Sequence, residues 1–222
     1  MSSQTQQKHS VVVILDFGSQ YTQLIARRVR EMGIYSIIIH GDEPFERVLS
    51  HAPSALILSG GPASVYDPGS PQLAPGFVEG IKNAGLPVLG ICYGMQVLAQ
   101  AYGGKVEKSP HREYGRMPIR VESHSTLLGA WARAQGINGD HEVWMSHGDE
   151  VRTLPPGFRI TAKSTSGALA SIENDEARVY LVQFHPEVTH TREGAQILRQ
   201  FITGVARVTS DWNMASHRED QL

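Results

Sequence analysis

The chain has 222 residues, 41% of them hydrophobic, and its 22 Asp and Glu slightly outnumber its 20 Lys and Arg. A net charge of -2 argues against sequence-independent nucleic-acid binding, and a single cysteine excludes an internal disulfide framework. Because residues 1–10 are polar and no apolar run reaches the roughly 18 residues of a membrane span, we expect no secretory signal and no membrane partner, but a cytoplasmic protein of one or two domains.

The first half of the chain alternates short apolar runs with helical patterns. Runs rich in β-branched residues, without alternation of polar and apolar side chains, are typical of strands buried on both faces. The predicted strands are 11–15, 36–39, 55–58 and 87–91. Apolar residues at helical spacing predict helices over 19–32, 71–84 and 93–102. This order predicts an α/β fold with an open, mostly parallel sheet and helices on both faces.

After about Gly104 the pattern changes to strands with few helices between them. The predicted strands are 117–121, 142–145, 158–163, 168–172 and 179–184. Turns rich in Gly, Ser and Asn-Asp separate the last three, which predicts a smaller antiparallel portion in the C-terminal half. A final helix is predicted over 193–202 from its apolar face.

The single cysteine lies at a predicted junction between strand and helix. Cys92 follows the run 87–91 and precedes the helix 93–102, with Gly90 and Gly94 two positions to either side. Such a turn needs small neighbours because strand and helix crowd each other, and it presents a nucleophile. The positive end of the helix dipole also favours a thiolate. A buried structural cysteine is the commoner fate of a lone Cys, but this junction favours a nucleophile.

A cysteine nucleophile needs a base and a group that orients the base. His185 and Glu187 follow the predicted strand 179–184, and side chains two apart at a strand end project to the same side. The carboxylate can then hold one imidazole tautomer. An exposed polar turn around Pro186 is the alternative, but together with Cys92 a catalytic triad is the better interpretation.

Two loops and one helix position complete the candidate site. The glycines of 59–62 leave backbone N–H groups free, which suits an oxyanion hole with the Tyr93 N–H as second donor. An ordinary turn at the end of a strand is the alternative for this loop. The segment 145–149 is predicted to be a polar turn that contributes substrate contacts. Gln96, one helical turn after Cys92, can reach a substrate held at the thiol, unless it is a solvated helix position.

Three blocks resemble the signature motifs of class I (triad-type) glutamine amidotransferases. They are Ser-Gly-Gly-Pro at 59–62, Gly-Ile-Cys-Tyr-Gly-Met-Gln at 90–96 and His-Pro-Glu at 185–187. Within that family, segments 14–28 and 143–149 are similar to the amidotransferase domains of GMP synthetases. The resemblance covers about residues 11–205, and three blocks in the right order make it highly specific.

The resemblance implies a role for each candidate residue. Cys92 would attack the side-chain amide of glutamine, His185 would transfer the proton, and Glu187 would orient His185. The backbone N–H groups of Gly61 and Tyr93 would form the oxyanion hole. The positions that would hold the glutamine are Gln96, Ser146, Gly148 and Asp149.

The resemblance also implies partners outside this chain. In the family, ammonia passes to an ATP pyrophosphatase domain or subunit, which uses ATP and Mg²⁺ to convert XMP to GMP. No phosphate-binding Ser-Gly-Gly loop follows the triad here, so we expect neither a metal nor a cofactor in this chain. We expect residues 1–10 to form a disordered leader, 11–205 the amidotransferase domain, and 206–222 a linker or tail toward the missing domain. The segment 130–135 has no role that the sequence explains.

Two other functions remain open from the sequence. One is a non-catalytic, amidotransferase-like regulatory subunit, against which the intact Cys, His and Glu argue. The other is a stand-alone cysteine hydrolase of γ-glutamyl compounds, which would share the same turn around the nucleophile.

Overall fold

The computed structural model describes residues 9–136 and 139–212. Within these residues nine strands form one sheet. The strands are β1 (Val11–Asp16), β2 (Tyr35–His40), β3 (Ala55–Leu58), β4 (Val88–Ile91), β5 (Lys105–Val121), β6 (His141–Thr153), β7 (Arg159–Ser164), β8 (Leu169–Asn174) and β9 (Val179–Val182). Their order across the sheet is β2-β1-β3-β4-β9-β8-β7-β5-β6.

The sheet has a parallel half and an antiparallel half. Strands β2, β1, β3, β4 and β9 pair in parallel, and β9, β8, β7, β5 and β6 pair antiparallel. The predicted α/β fold with an antiparallel C-terminal portion is therefore confirmed. That portion is more extensive than expected, because β5 begins well before its predicted apolar run and β6 continues well beyond its run. Both strands carry many polar residues and alternate between buried and exposed positions, a pattern that a search for continuous apolar runs misses.

Six α-helices accompany the sheet within the described residues. They are α1 (Thr22–Glu31), α2 (Phe45–Leu49), α3 (Phe77–Ala84), α4 (Tyr93–Ala101), α5 (Gly129–Ala134) and α6 (Gly194–Arg199), and α6 continues as a π-helix over Gln200–Val205. Alternate residues of β1 belong to two separate apolar clusters, one containing α1 and α6 residues and the other α2, α3 and α4 residues. Helices therefore cover both faces of the parallel half, as the sequence predicts.

One predicted helix needs correction, and one segment that the sequence left unexplained is helical. The helix predicted over 71–84 begins at Phe77, because Pro75 cannot continue a hydrogen-bonded turn and Gly76 has a left-handed φ of 76°. The segment 130–135, which had no explanation, lies mostly in α5. Trp131 there is buried, and its indole N–H donates to the Arg192 carbonyl oxygen at 3.0 Å. This hydrogen bond thus ties the short helix α5 to the loop before α6.

Residues 206–212 pack against the start of the domain. Trp212 is buried with its ring centroid 5.9 Å from that of Tyr35, and the Asp211 carboxylate accepts the Ser10 N–H at 3.0 Å. These contacts lie at the N-terminal ends of β1 and β2. Residues 1–8 and 213–222 lie outside the described residues, so the leader and the linker toward another domain remain predictions.

Strand β4 and helix α4 approach each other closely around Cys92, since a Cβ atom on Gly90 would lie 2.9 Å from the Gly94 carbonyl oxygen. Helix α4 also lies close to strand β3. A Cβ atom on Gly94 would lie 2.5 Å from the Leu58 carbonyl oxygen and 2.7 Å from Leu58 Cβ. Cys92 between them has a φ of 52°, a left-handed conformation that is uncommon for a residue with a side chain. The close packing therefore permits a sharp turn that the cysteine backbone would otherwise avoid.

We expect Gly94→Ala to lower the free energy of unfolding by about 1–3 kcal/mol, because the added methyl group has no space against β3. Urea denaturation measures this change. Gly204→Ala is the matched control, since its Cβ would meet only the flexible Gln200 side chain. Equal stabilities of the two variants would contradict the close packing of α4 against β3.

Candidate active site

Cys92 lies at the edge of the sheet formed by the carboxyl ends of the parallel strands. This edge is where ligands bind in open α/β sheets. The Cys92 N–H donates to the Val182 carbonyl oxygen at 2.8 Å, which ties the turn to β9. The residue is 4% exposed, and its thiol donates to the Ser146 carbonyl oxygen at 3.6 Å. The parallel half therefore supplies the thiol, and β6 of the antiparallel half lies directly against it.

His185 and Glu187 come together in the loop after β9. Nδ1 of His185 lies 2.8 Å from Oε1 of Glu187, and both residues are buried. The His185 backbone is fixed on both sides, since its N–H donates to the Trp144 carbonyl at 3.0 Å and its carbonyl accepts the Thr191 hydroxyl at 2.6 Å. The ring also packs edge-on against Tyr21. This environment leaves Nε2 as the ring nitrogen available to the thiol.

The charges around His185 favour its protonated form. Burial alone would lower the pKa of His185, but the Glu187 carboxylate and the Cys92 sulfur outweigh burial and raise it well above 6.5. The ion pair with Glu187 therefore stabilises the fold fully below pH 6.5, and this contribution is lost as the pH rises through the raised pKa. An imidazolium held beside the thiol by a carboxylate has a proton in place for a leaving group.

The loop 59–62 runs directly over the thiol and the imidazole. A Cβ atom on Gly60 would lie 3.0 Å from Cε1 of His185 and 3.6 Å from Cβ of Cys92, and one on Gly61 would lie 3.3 Å from Cγ of Tyr93. The backbone N–H groups of Gly61 and Tyr93 have no acceptor among the residues that the structure describes. Two donors beside the thiol are therefore free to receive an oxyanion.

A cleft of about 480 Å³ opens at the thiol. All the predicted oxyanion and substrate-binding residues line it together with the nucleophile, namely Gly61, Cys92, Tyr93, Gln96, Ser146, Gly148 and Asp149. His185 and Glu187 do not line the cleft; both are buried in the loop after β9. The structure thus gathers the sequence candidates at one place, while their individual roles remain predictions.

The structure excludes the alternative for Gln96 and shows that the interpretation of segment 145–149 is wrong. Gln96 is not a solvated helix position, because it is 3% exposed and its Nε2 donates to the Asp149 carbonyl at 2.8 Å. Segment 145–149 is not a turn but part of β6, where Ser146 pairs with Tyr114 and Asp149 with Lys108 of β5. The polar side chains of this segment are typical of a loop. The strand that pairs with it lies about 35 residues away along the chain, so no local pattern reveals the pairing.

Sequence reasoning missed the wall that β5 contributes to the cleft. The pairing of β5 with β6 shifts register between Lys108 and Glu113, and this irregularity brings Lys108, Arg112 and Tyr114 to the cleft. Asp67, from the loop after β3, lines the cleft as well. No local pattern identifies these residues, because their position depends on a register that the sequence does not reveal.

Other kinds of site have no support in the part of the chain that the structure describes. No group of three or more His, Cys, Asp or Glu side chains there is arranged to hold a metal ion. None of the described helices has the length and apolar character to cross a membrane. The expectation that this chain uses no metal or cofactor remains a prediction.

Comparison with known proteins identifies the family. The family model for class-I glutamine amidotransferases matches residues 13–205. The chain belongs to this family. One relative of this class-I amidotransferase, a GMP synthase (glutamine-hydrolyzing) from Nitrobacter hamburgensis, is 49% identical over 215 residues. Another of the same description, from Thermus thermophilus, is 48% identical over 212 residues.

The matched relatives are much longer than this amidotransferase. Each match covers 96% of this chain but only 38% of the Nitrobacter protein and 40% of the Thermus protein. The chain therefore spans about two fifths of the length of those relatives. Activities that reside in the remaining three fifths of the relatives are therefore not assigned to this chain.

Solved structures confirm the fold of this amidotransferase. One structure, described as a putative GMP synthase subunit from Thermoplasma acidophilum, superposes with a TM-score of 0.70 at 30% identity, covering 96% of this chain and 98% of that one. A glutamine amidotransferase from Thermotoga maritima gives a TM-score of 0.69 at 20% identity, covering 89% and 98%. The second likeness supports the fold alone.

We expect Glu187→Gln to lower the pKa of His185, because the variant removes a buried negative charge that favours the imidazolium. The His185 ring should then lose its proton at a lower pH than in the unaltered protein. Histidine ¹⁵N NMR over a pH series measures the change. Glu176→Gln, which alters an exposed carboxylate, is the control, and an unchanged His185 pKa in Glu187→Gln would contradict the proposed ion pair.

Proposed function

We propose that this chain hydrolyses the side-chain amide of glutamine to glutamate and ammonia through a thioester on Cys92. The observation that carries the proposal is the buried thiol, which has the His185–Glu187 pair behind it and opens into a cleft with two free backbone N–H donors. Family membership supports the same reaction.

The first half of the reaction forms the thioester. The Cys92 thiolate attacks the amide carbon of glutamine, and the carbonyl oxygen takes up the negative charge between the N–H groups of Gly61 and Tyr93. His185 then donates its Nε2 proton to the amide nitrogen, so that the C–N bond breaks and ammonia leaves. Glu187 stays ionised and keeps Nδ1 protonated throughout.

The second half returns the enzyme to its starting state. Neutral His185 takes a proton from a water molecule, whose oxygen attacks the thioester carbon. The same two N–H groups stabilise the second oxyanion, and its collapse releases glutamate and the Cys92 thiolate. One glutamine and one water thus give one glutamate and one ammonia, and the proton on His185 is restored.

The charged groups of the cleft fit an amino acid. Asp67 and Asp149 line the cleft together with Lys108 and Arg112. Glutamine carries an ammonium group and a carboxylate on its α-carbon, so a wall with both signs of charge can pair with each. We propose that Gln96, Ser146, Gly148 and Asp149 hold this substrate, as the resemblance implies.

We further propose that the ammonia serves the amination of XMP to GMP by an ATP pyrophosphatase domain or subunit. The matched relatives are GMP synthases, in which a region like this chain occupies about two fifths of the length. The Thermoplasma protein, described as a GMP synthase subunit, has nearly the same length as this chain. ATP and Mg²⁺ would then bind to the partner and not to this chain.

We expect Cys92→Ser to reduce glutamate release from glutamine by roughly 10³-fold or more, while the unfolding temperature stays close to that of the unaltered chain. The assay is run on the chain alone and with an ATP pyrophosphatase partner, ATP, Mg²⁺ and XMP. With the partner, ammonium chloride should restore GMP formation to the variant. Undiminished glutamate release by Cys92→Ser would refute the proposal.

A further inference from the structure

A second buried pair of histidine and carboxylate lies in the wall of the cleft. His147 of β6 and Glu113 of β5 stand directly opposite each other in the sheet. Nε2 of His147 lies 3.0 Å from Oε2 of Glu113, and each side chain is 1% exposed. Neither residue belongs to the triad, the oxyanion hole or the predicted glutamine contacts.

The hydrogen bonds around His147 and Glu113 fix the orientation of the His147 ring. Nδ1 of His147 lies 2.9 Å from the Asp149 carbonyl oxygen, which can only accept, so Nδ1 carries a proton. The carboxylate of Glu113 also accepts the hydroxyl groups of Ser164 and Ser166. Burial would raise the pKa of Glu113, but the hydrogen bonds from His147 and the two serines outweigh burial and lower it. Nε2 of His147 therefore faces a carboxylate that the two serines also hold in place.

The His147 ring is linked to the cleft through one carbonyl group. The Asp149 carbonyl oxygen accepts Nδ1–H of His147 and also Nε2–H of Gln96, the latter at 2.8 Å. Both lone pairs of this oxygen are thus occupied, one by β6 and one by α4. Because Asp149 and Gln96 line the cleft, the bond from His147 fixes the relative position of two walls.

We propose that His147 is a positioning residue for glutamine, with Glu113 holding the orientation of its ring. This inference rests on the proposed function. His147 lines the cleft, but its side chain is only 1% exposed, so it acts by holding the backbone at Asp149 and, through that carbonyl, the amide of Gln96. Loss of this bond should weaken the binding of glutamine and leave the reactivity of Cys92 toward small reagents unchanged. A buried pair of histidine and carboxylate costs desolvation and stabilises a fold poorly, which favours a positional role over a purely stabilising one.

Two substitutions separate the two ring nitrogens. In His147→Asn the amide nitrogen takes the place of Nδ1 and can still donate to the Asp149 carbonyl. In His147→Gln the amide nitrogen takes the place of Nε2, so the bond to Glu113 is kept and the bond to Asp149 is lost. Both variants replace the imidazole by a neutral amide, and each serves as the matched control for the other.

The test compares two electrophiles that alkylate Cys92 in the whole chain. Iodoacetamide needs only the thiol, whereas 6-diazo-5-oxo-L-norleucine also needs the glutamine contacts. We expect His147→Gln to slow alkylation by the glutamine-shaped reagent about tenfold, the effect of one lost hydrogen bond, and to raise the glutamine KM by a similar factor with little change in kcat. Alkylation by iodoacetamide should stay unchanged, and His147→Asn should stay within about threefold of the unaltered chain in every assay.

Equal losses in both variants, or an unchanged rate in His147→Gln, would overturn the inference. If the unaltered chain shows no preference for the glutamine-shaped reagent, the proposed function itself fails, which is a different outcome. Histidine ¹⁵N NMR of the unaltered protein tests the inference without any variant. Nδ1 of His147 should carry a proton near neutral pH, and a ring with an unprotonated Nδ1 would contradict the assignment.

Discussion

The close approach of α4 to strands β3 and β4 is the constraint on which the rest of the site depends. It leaves room only for glycine at position 94 and lets Cys92 adopt a φ of 52°. Such a conformation costs on the order of 1–3 kcal/mol, and neighbouring hydrogen bonds offset part of this cost. The Cys92 N–H is bound by Val182 of β9, and the Gly94 N–H donates to the Ser59 carbonyl at 3.0 Å. The same bonds that hold the turn also bring the loops after β3 and β9 to the thiol.

The two halves of the sheet contribute different chemistry. The parallel half supplies the proposed nucleophile, the histidine–glutamate pair and the N–H donors proposed for the oxyanion, since these all follow the carboxyl ends of neighbouring strands. The antiparallel half supplies a wall that carries Ser146, Asp149 and the cations of β5. Reactivity and substrate recognition are therefore set by separate parts of one sheet, which meet where β6 lies against Cys92.

The sequence alone predicts the parallel half well and the antiparallel half less well. The runs that became β1, β3 and β4 are buried along most or all of their length, so continuous apolar residues locate them within about one residue. The triad follows from the motif at Cys92 and from the spacing of His185 and Glu187. His147 and Lys108 escape such reasoning because their positions depend on the register of β5 against β6. The role of Trp131 likewise depends on a contact with Arg192 about sixty residues away.

The most direct measurement is a rapid-quench experiment in which the chain, with its synthetase partner and nucleotides, is mixed with glutamine and stopped in acid before turnover ends. Mass spectrometry of the digested protein then shows which residue carries substrate. We expect the peptide containing Cys92 to gain the mass of glutamine less ammonia, and the Cys92→Ala variant to gain nothing. An adduct on another residue, or glutamate release without any adduct on Cys92, would contradict the central claim that the thiol held in this turn is the nucleophile.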